Sequence, residues 1–219
     1  MKMLVVFEKA PRIRHIGHLD LMRAMQRALR RSGLPVRFSQ GFNPHLLLTF
    51  AAPLSVGMAG QREIMEVPLG ADVTEDEFLT KLNAALPPEL PCLFARIVDD
   101  KHPASMASMF AAEYDIAIDP EGAALCSAVD ALLAKESIMA VRKTKSGEKL
   151  TDIRPMIYEL SVSGENRLHC ILALGEKATC KPELLLDALT QEAGLSERPR
   201  TQIVRKQLYG AELVPLEML

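Results

Sequence analysis

Between residues 14 and 33 the sequence reads RHIGHLDLMRAMQRALRRSG, with five arginines, two histidines and one acid. His15 and His18 stand three residues apart, Asp20 follows, and His45 lies in the next loop. A pair of imidazoles titrating near neutrality can act as acid and base in RNA cleavage. Three imidazoles and a carboxylate also suit a divalent metal. Neither spacing is a specific signature. His18 equally begins a helix, and Asp20 suits the positive end of that helix. The arginines carry more. Arg23, Arg27, Arg30 and Arg31 recur at i, i+4, i+7 and i+8, which places four guanidiniums on one helix face. Planar guanidiniums fork onto phosphate oxygens. Asp20 reaches Arg23 but cannot neutralise all four. The plainer alternative is a solvated face paired to acids elsewhere. Arg12, Arg14 and Arg37 extend the same basic surface and weigh towards an anionic partner.

Two further segments carry candidate side chains. SQGFNPH, residues 39–45, comprises Ser39, Gln40, Gly41, Phe42, Asn43, Pro44 and His45. Gly41 permits positive φ, Asn43 tolerates turns and Pro44 fixes φ. Phe42 is either an exposed platform on which a base stacks or a plug in the core beneath the loop. In RKTKSGEKLTDIRP, residues 142–155, Arg142, Lys143, Lys145, Lys149 and Arg154 outnumber Glu148 and Asp152. A basic tip of this kind clamps nucleic acid, or serves as a charged edge that blocks sheet aggregation.

The elements that hold these residues follow from periodicity. A β-branched apolar run at 3–9 predicts a central strand. A helix is predicted over about residues 18–32, with Leu21, Met22, Met25, Ala28 and Leu29 as its buried face, Gly33 past its end and Pro35 as the stop. Thr74 and Glu77 form a capping box ahead of an amphipathic helix carrying Phe78, Leu79, Leu82 and Leu86. With VRFS at 36–39, the apolar run LLLTFAAPL at 46–54, and strands at 62–69 and 92–99, the first half reads β-α-β-β-α-β. The second half repeats the pattern: strands at 112–119, 137–144, 157–164, 166–175 and 200–210, and helices over 122–136 and 181–194, one strand more than the minimal unit. The expected fold class is therefore α+β: two ferredoxin-like (βαββαβ) units in tandem, with antiparallel sheets and helices on one face. The expected division is a first domain at 1–101, a linker at 102–110 and a second domain at 111–219.

The 219 residues suffice for either one large domain or two small ones. Net charge is −2, but its distribution is uneven. Residues 1–60 hold 9 Lys/Arg against 2 Asp/Glu, net +7; residues 61–137 hold 5 against 15, net −10. The first segment reads as a basic patch. Cys92, Cys126, Cys170 and Cys180 form no C-x-x-C pair, so zinc and iron–sulfur sites lack support, and reduced thiols of a cytoplasmic protein are expected. No run is long and apolar enough for a membrane span or signal peptide. Walker A, G-x-G-x-x-G, G-x-S-x-G and H-E-x-x-H motifs are missing. No metal or cofactor is expected in this chain.

FEKAPRIRHIGHLDLMRAMQRALRRSGLPVRFSQGFNPH, followed by FAAPLSVG, resembles the radical-SAM-linked protein family, a domain often fused to, or encoded beside, a radical-SAM protein. The matching stretches are GHLDL at 17–21 (with His18 and Asp20), RALRR at 27–31, GLP at 33–35, SQGFNPH at 39–45, APLSVG at 52–57 and DIRP at 152–155. The chain departs from the family at His15 and Gly17, and at Leu46 and Leu47, where the family commonly has Pro-Lys. The resemblance implies a bacterial cytoplasmic protein with a radical-SAM enzyme as partner. This chain lacks the cluster cysteines itself. Taken together, the expectation is an accessory protein without catalysis of its own that binds RNA, tRNA or rRNA, and presents it to the partner enzyme. The alternatives are an endoribonuclease using His15, His18 or His45, and a protein-interaction scaffold.

Overall fold

The computed structural model describes residues 1–144 and 147–219, with residues 143 and 144 as backbone. The chain divides into two compact units: Met1–Met109 with Gly210–Leu219, and Phe110–Tyr209.

In the first unit the order is β1 (Lys2–Lys9), α1 (His18–Arg31), β2 (Thr49–Phe50), β3 (Met58–Pro68), α2 (Glu75–Ala85), β4 (Cys92–Val98) and α3 (Ser105–Ser108). β1 pairs antiparallel with β3, Val5 opposite Met65, and with β4, Leu4 opposite Arg96; β2 adds to β3, Phe50 opposite Met65. Alternation along the strands turns Met3, Val5, Phe7, Met65, Val67, Cys92 and Ala95 to one face. There they pack with Leu21, Met25, Ala28 and Leu29 of α1 and Phe78 and Leu82 of α2. Met22 is only half-buried. The Thr74 hydroxyl accepts the Glu77 N–H at 3.2 Å, as the capping residues predict. Gly33, at φ +69°, ends α1 in the left-handed region.

The other face of this sheet is not open. Glu66 accepts from Lys2 Nζ at 2.8 Å, and from the Ser105 N–H at 2.7 Å and hydroxyl at 2.6 Å. Lys2 Nζ also donates to the His102 carbonyl at 3.1 Å. Arg62 donates to Glu217 through Nε and Nη2 at 3.0 and 2.7 Å. Of the segment at 102–110, expected as a linker, residues 102–109 contain α3 and group with the first unit, while Phe110 belongs to the second. Residues 210–219, expected with the second domain, also group with the first. Helical structure is accordingly not confined to one face here.

The second unit runs β5 (Ala111–Ile118), α4 (Ala124–Ser127), α5 (Val129–Leu133), β6 (Met139–Thr144), β7 (Gly147–Asp152), β8 (Ile157–Gly164), β9 (Arg167–Ala173), α6 (Pro182–Glu192) and β10 (Thr201–Tyr209). Its main sheet has the order β10-β5-β9-β8, antiparallel throughout. β6 and β7 form a separate two-stranded ribbon. The extra strand of the second half is thus a hairpin outside the main sheet. The single helix predicted over 122–136 is two short ones, joined at Ala128 with φ −85° and ψ −7°. Both units are α+β with antiparallel strands.

Candidate functional site

The entrance to α1 is a hydrogen-bonded corner. Lys9, buried on β1, donates from Nζ to the carbonyls of Arg14 at 2.9 Å and Ile16 at 2.8 Å. The Arg14 carbonyl also accepts the Gly57 N–H at 2.9 Å. Residues 14–17 and 52–57, separate in sequence, are thereby joined. His18 is half-buried with its ring edge-on to Phe50, centroids 5.4 Å apart, and Phe50 packs against Phe7. His15 is exposed. Among the described residues no hydrogen bond or ion pair joins His15, His18 and His45. The His18 ring thus packs against an aromatic neighbour.

From this corner α1 carries its arginines outward. Arg23, Arg27, Arg30 and Arg31 are all exposed. Arg23 pairs with Asp20 at 3.0 Å, the i, i+3 contact expected from the spacing. Arg31 donates to the Ala85 carbonyl at 2.7 Å, where its charge meets the negative end of α2. Among the described residues Arg27 and Arg30 have no acidic partner at ion-pair distance. With Arg23 and Gln26 they line a shallow depression of about 130 Å³. Arg14 turns back to the Pro11 carbonyl at 3.1 Å, Arg12 approaches Glu89 at 3.9 Å and Arg37 approaches Asp100 at 3.7 Å.

Arg30 also joins the stripe to the next loop. Its guanidinium carbon lies 5.8 Å from the centroid of the Phe38 ring, a cation–π contact. Phe38 bridges to Leu46. Residues 39–45 form a closed loop between them. The Ser39 N–H donates to the His45 carbonyl at 2.8 Å, and the His45 N–H donates to Ser39 Oγ at 3.0 Å. Ser39 Oγ also lies 2.7 Å from His45 Nδ1. Gly41 takes φ +129°, a conformation that excludes ordinary side chains. Gln40, Asn43, Pro44 and His45 are exposed, and Phe42 is wholly so, at 112% relative exposure. It plugs no core.

In the second unit Arg142 and Lys149 are exposed and directly opposite each other on the β6–β7 ribbon. Like charges so placed repel unless an anion or water separates them. Asp152 accepts the N–H groups of Ile138 and Arg154 at 2.9 and 3.0 Å and fixes the ribbon's base, with Arg154 half-buried beside it. Those two N–H groups hold the Asp152 carboxyl below its ordinary value. Lys145 and the side chain of Lys143 lie outside the described residues.

One cluster is not evident from linear motifs. On the second unit's sheet His169 Nδ1 lies 3.5 Å from Asp115 and 3.8 Å from Glu113, and Nε2 lies 3.5 Å from Glu159. Asp115 and His169 are register partners on β5 and β9. The available signal is the alternation in EYDIA and RLHCI, which sends Glu113, Asp115 and His169 to one face. These are ion-pair separations; among the described residues no group of His, Cys, Asp or Glu is arranged to hold a metal ion. An acidic sheet face repels phosphate, so any nucleic-acid contact belongs elsewhere.

Burial disfavours the thiolate form of all four cysteines. Burial pushes the Cys92 and Cys180 thiols up to about 12, and raises Cys170 and Cys126 as well. No helix among the described residues is long and apolar enough to cross a membrane. Residues 2–182 match the family described as "Uncharacterized protein conserved in bacteria (DUF2344)". No curated protein matches the chain.

Proposed function

The chain belongs to that family of uncharacterized bacterial proteins, and we propose that it binds RNA through the α1 face of its first unit and presents it to a partner enzyme. One observation carries the reading: Arg27 and Arg30 reach solvent on α1, without an acidic partner among the described residues, between the flanking charges of Arg23 and Arg31. Two guanidiniums without counter-charges in a shallow depression suit phosphate oxygens, and the pairing of Arg23 and Arg31 within the unit keeps the surrounding field positive yet ordered. The exposed Arg142–Lys149 pair adds a second basic point in the other unit. The resemblance of residues 17–21 and 39–45 to the radical-SAM-linked family supplies the partner, a radical-SAM enzyme that performs the chemistry. The strand orders β4-β1-β3-β2 and β10-β5-β9-β8 support reading both units as ferredoxin-like, the second with the ribbon inserted.

Titrating the full chain with tRNA and rRNA fragments over a range of salt concentrations tests the binding. The expected result is an affinity that falls log-linearly with salt, and a loss of tenfold or more in Arg27→Glu/Arg30→Glu with a shallower salt slope. Absence of salt-dependent binding, or wild-type affinity in the double variant, overturns the reading. Survival of the radical-SAM partner on the purified chain after RNase treatment would favour a scaffold instead.

A further inference from the structure

We infer that the loop at 39–45 holds an unpaired base of the bound RNA, with Phe42 as the stacking surface, so that the ligand of this face is single-stranded. The inference rests on the RNA-binding reading above and gives it a strand class. Three observations converge on it. Phe42 is fully solvated, at an apolar cost that no contact within the unit recovers. The loop that displays it is closed by the two backbone-linked Ser39–His45 bonds at 2.8 and 3.0 Å and by the Phe38–Leu46 bridge, so the ring is presented from a fixed base. And the loop adjoins the arginine stripe, because Phe38 at its root lies under Arg30.

Charge decides the occupant. Residues 39–45 contain no acid, and the α1 side chain that meets the root of the loop is the cation Arg30, next to Arg27 on the same helix face. An apolar ring beside solvent-facing cations is matched by a ligand that alternates aromatic faces with negative charge, which is what an unpaired polynucleotide is. In a duplex the bases stack on each other and offer no face to a protruding phenyl ring, and the A-form major groove is too deep and narrow to admit one. Every base has a π-face, so Phe42 selects for strandedness without selecting sequence. His45, at the loop's other end, is exposed beside it and can offer a ring N–H to a base edge or phosphate.

The test uses the full chain and three probes: a short single-stranded RNA, the same sequence annealed to its complement, and an abasic ribose-phosphate strand of the same length. Fluorescence anisotropy is expected to show the single strand bound about tenfold more tightly than the abasic strand, the size of one stacked base. Phe42→Ala is expected to abolish that difference while leaving the salt slope unchanged, and Phe42→Trp to restore it. Equal affinity of the wild type for the single and abasic strands, or an unchanged preference in Phe42→Ala, overturns the inference while leaving RNA binding intact. Failure of all three probes to bind overturns both. Preference for the duplex overturns the single-strand assignment alone. Because Phe42 makes no core contact, circular dichroism is expected to show all variants folded.

Discussion

At the scale of single residues, Ser39 and His45 and the buried Lys9 do the positioning. Ser39 Oγ accepts the His45 backbone N–H and also lies 2.7 Å from His45 Nδ1, a hydrogen bond whose direction follows the ring tautomer. Donation from the Ser39 hydroxyl to Nδ1 corresponds to the Nε2–H tautomer. Imidazole ¹⁵N shifts are expected to show that tautomer in the wild type and a mixture in Ser39→Ala; a mixture in both would remove Ser39 from this role. Lys9 acts on the other side of α1. Lys9→Met strips the charged donor from the Arg14 and Ile16 carbonyls. The loss is expected to cost about 2 kcal/mol in urea unfolding. Which of these roles can be read from sequence differs by residue. The loop character of 39–45 is written in Gly41, Asn43 and Pro44. The exposure of Phe42 is not, because a lone phenylalanine in a loop goes inward or outward according to tertiary pairing, here Phe38 with Leu46. His18 shows the converse: its type suggests chemistry, while its neighbour Phe50, distant in sequence, makes it a packing residue.

At the scale of elements, α1 is the most legible part of the chain, since its apolar and basic stripes obey one period. Leu21, Met25, Ala28 and Leu29 are buried and the four arginines reach solvent, as the spacing predicts. The two faces therefore have opposite sensitivities. Leu29→Ala is expected to destabilise by about 2–5 kcal/mol in chemical denaturation, whereas Arg27→Ala is expected to stay within about 0.5 kcal/mol. A comparable stability loss for Arg27→Ala would mean that its charge serves the fold. The β6–β7 ribbon is harder to read for a physical reason. GEKLTD has neither an apolar run nor a clean alternation, and its first four residues are exposed, because a strand outside the core has no face to bury. Position within the ladder, not composition, makes it a strand. The helix predicted over 122–136 fails differently: its 3.6 period is sound, with Leu125, Val129 and Leu132 buried, but periodicity of burial does not require one continuous helix, and the turn at Ala128 interrupts it.

At the scale of the whole chain, composition reveals the uneven charge but not its destination. The α1 arginines of the basic segment remain on the surface while Lys2 and Lys9 are buried, and part of the acidic segment is likewise spent inside the first unit, Glu66 being the clearest case. Sequence places it in a strand; only the fold brings Lys2 and Ser105 to it, which is why residues 102–110 read as a linker. Burial raises the Glu66 carboxyl, but the hydrogen bonds from Lys2 and Ser105 and the Lys2 charge together outweigh it, and the group lies below its ordinary value of 4.5. The sign of the stability effect follows. Above the unfolded-state value the carboxylate is ionised in both states and its stabilisation is complete. As pH falls, the unfolded chain takes the proton first, so acid draws the equilibrium towards unfolding until the folded-state value is passed. Wild-type stability in urea is therefore expected to drop between about pH 6 and about pH 3 by more than that of Glu66→Gln. The variant starts lower, because Lys2 is left buried without a counter-charge. Other carboxylates, Asp152 among them, contribute to the slope of both proteins, so the difference between the two slopes is the measurement. Parallel slopes would show that Glu66 is not the acid-sensitive staple of residues 102–110, and that the segment is held by its packing alone.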